Sequence, residues 1–125
     1  MQLAYNTNGL SHHSLLDAIK LLAGIGYTAV SITLDHNTLN PFGDRLDRQL
    51  CDVSDALKDA GMRCAIETGA RFLLDPEHKH EPTLVSPRRE ARLRRVDFLI
   101  RAIEIAAQLN ATCVSLWSGV VRDNT

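Results

Sequence analysis

Residues 65–84 read AIETGARFLLDPEHKHEPTL and place a carboxylate, Glu67, inside an apolar run just before Gly69. An ionised carboxylate among apolar neighbours is costly unless a partner pairs with it or hydrogen-bonds it. Arg71 is the nearest cation in sequence. Two readings stand open: a structural Glu67–Arg71 ion pair, or a carboxylate held ready to accept a hydrogen bond from a ligand hydroxyl. Other residues with chemical capacity show weaker patterns. His12-His13 precedes a helix and His78-Lys79-His80 lies in a polar loop, and neither pair has a third or fourth metal ligand close in sequence. Cys51, Cys64 and Cys113 are odd in number and lack CxxC spacing, which reads as reduced thiols serving as small core residues.

Two further stretches carry charge. PRREARLRR holds five arginines between positions 88 and 95 at the start of a helix, where positive charge opposes the macrodipole. The expectation is a solvated outer face balanced by Glu90 and Asp97. Gly69 to Val85 forms a long loop, and Phe72, Leu73, Leu74 and Leu84 give it apolar anchors, as expected of a lid.

The elements that must position these groups follow from periodicity. LAYNT (3–7) reads as a first strand. The next stretch, SLLDAIKLLAGIG, is a helix with Leu15, Ile19 and Leu22 on one face, Ser14 and Asp17 as a capping pair, and Gly24 and Gly26 as the stop. AVSITL (29–34) reads as a strand buried on both faces. Leu46, Leu50, Val53 and Leu57 define a second helix, with Asp44 expected to cap it and Gly61 to end it. RCAIET (63–68) is a third strand. Ser86-Pro87 reads as the start of a third helix whose inward stripe is Val96, Leu99, Ile100, Ile103 and Ala107. TCVSLW (112–117) is a fourth strand. Alternation of this kind implies an α/β fold with parallel pairing, right-handed crossovers and both sheet faces covered.

The 125 residues are 45% hydrophobic, enough for one modest core. Fourteen Lys plus Arg against fifteen Asp plus Glu leave a net charge of -1, so no global field recruits nucleic acid or an anionic membrane. No apolar run approaches the roughly 20 residues of a membrane span, and MQLAYNTNGL lacks the features of a secretion signal. A cytoplasmic protein is expected. No Gly-rich phosphate loop follows any strand, which removes the main support for dinucleotide-binding and P-loop readings.

The phrases GYTAVSITLDH, AGMRCAIETG and AAQLNATCVSLWSG, set in this alternation, resemble the sugar phosphate isomerase/epimerase family, the xylose isomerase-like TIM barrels. The resemblance covers all 125 residues as the first four strands and three helices of a (β/α)8 barrel, so residues 1–125 are expected to be the N-terminal portion of a single barrel domain. Two positions depart from the family. Ser31 stands where a second-strand glutamate is common, and Trp117-Ser118-Gly119 stands where a histidine often ends strand four, which argues against a three-zinc endonuclease-like site.

What the resemblance implies is a sugar or polyol isomerase/epimerase, acting on free or phosphorylated substrates by metal-assisted proton transfer. Its divalent metal (Mn, Mg, Co or Zn) would be held by ligands beyond residue 125, with no metal ligand supplied here and the fragment alone inactive. In such barrels the pocket wall is built at the C-terminal ends of the strands. Those ends carry Asn6 and Asn8, Asp35 and His36, Glu67 and Arg71, and Trp117 and Ser118. From these, Glu67 is expected to be catalytic, and Asn6, His36, Arg71 and Trp117 to bind substrate. Amides and carboxylates suit hydroxyls, arginine suits an anionic group, and an aromatic face suits the C–H surface of a sugar. Plainer roles remain open: turn formation for Asn6, a surface loop position for His36, core packing for Trp117. The expected partner is a small carbohydrate, without nucleic acid or membrane, and a homo-oligomer is compatible with it. The alternatives are a metal-dependent hydrolase or lyase on the same barrel, akin to endonuclease IV, and a sugar-binding module without chemistry.

Overall fold

The computed structural model describes residues 1–121. Among them the chain forms β1 (Ala4–Asn6), a 3-10 turn (Thr7–Leu10), α1 (Leu15–Ile25), β2 (Ala29–Thr33), α2 (Leu46–Asp59), β3 (Arg63–Glu67), α3 (Arg89–Gln108) and β4 (Val114–Ser115). The strands pair in parallel in the order β1-β2-β3-β4. Ala4 lies opposite Ala29, Thr33 opposite Glu67, and Glu67 opposite Ser115.

Local chemistry explains most of the boundaries. Ser14 Oγ accepts from Asp17 N at 3.2 Å and starts α1 as the sequence indicates. Gly26 ends it at φ 115°, a left-handed conformation that glycine adopts without strain. α2 buries Leu50, Val53 and Leu57, with Leu46 packed at the margin. Its cap differs from expectation. The residue before the helix is Arg45 and makes no side-chain cap bond, because the turn closed by Gly43 N on Asn40 O delivers the chain one residue beyond Asp44. Asp47 supplies the acidic first turn instead.

Consecutive strand order with crossovers of one hand sets all three helices on one side of the sheet. Val30, Ile32, Cys64 and Ile66, alternate residues of β2 and β3, join Ile19, Leu22, Phe98 and Ile105 in the core on that side. The expectation of a sheet covered on both faces is therefore corrected: Ala29, Ser31, Ala65 and Glu67 point the other way and stay half-buried. β4 is shorter than its 112–117 reading, since as an edge strand it pairs with β3 alone.

α3 departs most. Its buried residues are Arg95, Phe98, Leu99, Ala102, Ile105 and Ala106, whereas Val96, Ile100 and Ile103 are 38%, 50% and 52% exposed. The inward stripe lies about 100° round the helix from its expected place, one residue back. Ser86-Pro87 does not start this helix. Arg88 precedes its first turn, and Ser86 Oγ accepts from Thr83 N at 2.8 Å and donates to Glu81 Oε2 at 3.3 Å within the loop.

Candidate functional site

The uncovered face of the sheet brings a polar row together at the C-terminal ends of the strands. Thr33, Glu67 and Ser115 are register partners across β2, β3 and β4. Asn6, at the end of β1, accepts a hydrogen bond from Thr33 Oγ1 at 3.0 Å through its side-chain carbonyl, which also accepts from Asn8 N at 2.8 Å. Thr7 Oγ1 accepts from Thr33 N at 3.1 Å. Asn6 thus shapes the turn after β1 and faces the sheet at once.

Glu67 is half-buried in the middle of this row. Its backbone carbonyl accepts from Leu34 N, but its carboxylate makes no hydrogen bond or ion pair among the described residues. The Glu67–Arg71 pair is absent. Arg71 reaches Asp35 instead, Nη1 to Oδ2 at 3.8 Å, because positive φ at Ala70 and Arg71 turns the chain away after Gly69. With both side chains about a quarter to a third exposed, the pair links the loops after β2 and β3 for little energy, about 1 kcal/mol or less.

The loop between β3 and α3 lies across the ends of β3 and β4, held by Arg92, Arg94 and Arg95 of the arginine run; Arg88, Arg89 and Arg94 are exposed as expected, whereas Arg95 is not. Arg95 is 1% exposed. Its Nη2 donates to Thr68 O at 2.7 Å, its Nη1 to His80 O at 3.5 Å, and its guanidinium lies 5.3 Å from the Phe98 ring centre. Burial pushes its pKa below the ordinary range, and nearby Glu81 opposes that shift. Arg94 donates to Leu74 O at 2.5 Å, and Arg92 donates to Ser86 O and Pro87 O, each at 2.8 Å. Of the loop's apolar anchors, Leu74 is buried, Leu73 and Leu84 are half-buried, and Phe72 is 46% exposed. The loop is thus a braced wall in this structure. Beyond β4 the chain passes so close beneath it that a Cβ on Gly119 would sit 2.4 Å from Thr83, and Gly119 has φ 100°.

Two rings stand at the loop's base. His80 and Trp117 have ring centres 4.9 Å apart, and among the described residues Trp117 is 43% exposed. His36 lies apart from the polar row. It is exposed and lines a separate cleft of about 260 Å3 with Asn40, Phe42, Leu73, Leu74, Arg94 and Asp97. Thr33 and Ser115 were missed by sequence reading, although the alternation of strands would have placed Thr33 beside Ser31 on the open face. Arg95 gave no signal, because arginine is rarely assigned to a core.

Among the described residues no three His, Cys, Asp or Glu side chains gather as a metal site. These residues do not by themselves fit the divalent metal that the family resemblance implies. Nor is any helix among them long and apolar enough to cross a membrane.

The comparisons with known proteins agree with this fold. A D-psicose 3-epimerase crystallised in the presence of D-fructose superimposes with a TM-score of 0.71 at 17% identity, over 98% of this chain and 42% of that one. D-Psicose 3-epimerase from Clostridium cellulolyticum H10, with D-tagatose, gives 0.65 at 14% identity, over 91% and 36%. The chain thus spans less than half the length of either structure, and at these identities the likeness is one of fold. No curated protein matches the sequence. The family model described as the xylose isomerase-like TIM barrel matches residues 19–125, and the chain belongs to that family.

Proposed function

We propose that the protein is a sugar or polyol isomerase/epimerase, with residues 1–125 forming the N-terminal part of its barrel and one wall of its pocket. The observation that carries this is the polar row Asn6–Thr33–Glu67–Ser115 on the sheet face that no helix of the described residues covers. Hydroxyl, amide and carboxylate groups set side by side at strand ends match the alternating donors and acceptors of a polyol. Glu67 is the residue proposed to touch the reacting part of the substrate, its unengaged carboxylate accepting a hydroxyl hydrogen bond beside the carbon that loses its proton. Asn6 and Trp117 bind and orient the sugar. Arg71, turned toward Asp35, serves an anionic substituent at the rim, and His36 contacts the substrate only where it extends into the outer cleft. A divalent metal would be held by residues outside 1–125.

Two ketohexoses, D-fructose and D-tagatose, accompany the structural neighbours and are suitable probes. The intact protein with manganese and either sugar in deuterated water should exchange the carbon-bound proton next to the carbonyl, seen as loss of its NMR signal. Glu67→Gln should slow that exchange about tenfold or more while melting within a few degrees of the parent. No exchange with either sugar or its phosphate ester would overturn the reading, and phosphodiester cleavage in its place would favour the hydrolase.

A further inference from the structure

His80 is fixed both through its ring and through its backbone. Its Nδ1 lies 2.5 Å from Gly69 O and 3.2 Å from Arg71 N. One nitrogen cannot donate to the first and accept from the second. The shorter contact is to a carbonyl, which has no hydrogen to give, and it favours a proton on Nδ1 donated to Gly69 O, with Arg71 N–H left facing the same nitrogen. In the neutral ring this leaves the lone pair on Nε2. Arg95 Nε is the side-chain nitrogen that is sealed without a partner among the described residues. His80 Nε2 makes no hydrogen bond to them either and is not sealed in that way.

The backbone of His80 is clamped as firmly as its ring. Its N–H donates to Arg71 O at 2.6 Å, and its carbonyl accepts from buried Arg95. The ring is tilted 47° to that of Trp117. Between them lies Gly69, two residues beyond Glu67, where a Cβ would be 3.9 Å from both His80 Cε1 and Trp117 Cζ2. A pre-set acceptor, a part-exposed indole and a floor without a side chain converge at the strand end that carries Glu67.

We propose that His80 is a substrate-contacting residue, its neutral Nε2 accepting a hydrogen bond from a hydroxyl of a sugar whose C–H face rests on Trp117. This rests on the isomerase/epimerase reading above. The specificity it confers is for a hydroxyl donor at that position, and a deoxy sugar lacking the group leaves Nε2 unpaired.

The test is histidine 15N NMR on the intact protein, with D-tagatose as probe and calorimetry to measure its binding. The free protein should show His80 protonated at Nδ1 and bare at Nε2, and saturating probe should move the Nε2 resonance toward the hydrogen-bonded range. His80→Phe, which keeps a ring but no acceptor, should weaken binding about tenfold, and His80→Gln should recover part of it. Because the NMR arm uses the unaltered protein, a variant that fails to fold does not decide the matter. A proton on Nε2 in the free protein overturns the proposal. So does a probe that binds, and is weakened by Glu67→Gln, while the Nε2 resonance stays still and His80→Phe binds normally; the isomerase/epimerase reading survives that result. A probe that does not bind at all, joined to absent proton exchange, overturns both.

Discussion

On one face of the sheet, Val30, Ile32, Cys64 and Ile66 lie under three helices with 0–2% of their surface exposed. One residue along in the same strands, Ser31, Ala65 and Glu67 remain half-buried, small or polar. Strand geometry alternates the two sets, so a single pentapeptide such as RCAIE supplies both. Stability and the proposed recognition are thereby separated by one peptide unit. A substitution on one face should be felt in unfolding, and its neighbour's on the other face in binding.

The sharpest way to break that contrast is to cut the dry face. Phe98, fully buried beneath the sheet, should cost about 3–5 kcal/mol when truncated to alanine, measured by urea unfolding. Thr33→Ser or Glu67→Gln on the open face should stay within about 1 kcal/mol. Comparable losses on both faces would mean that the open face is also structural.

Arg95 tests where the contrast ends, since it extends the buried side beneath the loop. Arg95→Met removes the donors to Thr68 O and His80 O and should cost about 2–3 kcal/mol, with faster amide exchange over residues 69–86. Unchanged exchange there would show that the arginine does not brace the loop.

Alkaline pH probes the dry face in a third way. Burial, with a smaller contribution from Cys113, raises the Cys64 thiol from 9.0 to about 11. Between these values the unfolded chain has released the proton and the folded chain has not, so stability is complete below pH 9 and is lost as pH rises through 11. The loss attributable to Cys64 should reach about 2 kcal/mol by pH 10.5 and be missing from the Cys64→Ala slope. Equal slopes would contradict it. The smallest effect belongs to the half-exposed rim: a double-mutant cycle on Asp35 and Arg71 should give a coupling of about 1 kcal/mol or less.

The sequence was most legible where one local rule decides one feature. Ser14 with Asp17, the glycine after α1 and the β-branched run of β2 each specify their element without help from distant residues, and the repetition of such units was enough to indicate the barrel family. α3 was misjudged because it is apolar on two sides. Leu93, Val96, Ile100 and Ile103 form a stripe as regular as the one that is buried, and Arg95 sits in the true core stripe like a polar interruption. At the strand ends the residue types were legible, but the partners of their side chains were not. Nothing between Glu67 and Arg71 in sequence could show that Ala70 and Arg71 adopt positive φ, and that turn sends the arginine to Asp35.

The consecutive order of the strands also bears on how the chain reaches this state. Ala4 finds Ala29, Ala29 finds Arg63, and Ile66 finds Val114, so each pairing joins a strand to the one made just before it and spans more chain than the last. Closure entropy grows with that span, which makes docking of β4 the slowest of these three pairings in principle. β4 also brings Trp117 to His80 and seats Gly119 under Thr83. During synthesis the first three strands can assemble as they leave the ribosome, while the ring pair beside Glu67 is completed only after the whole of α3 has emerged.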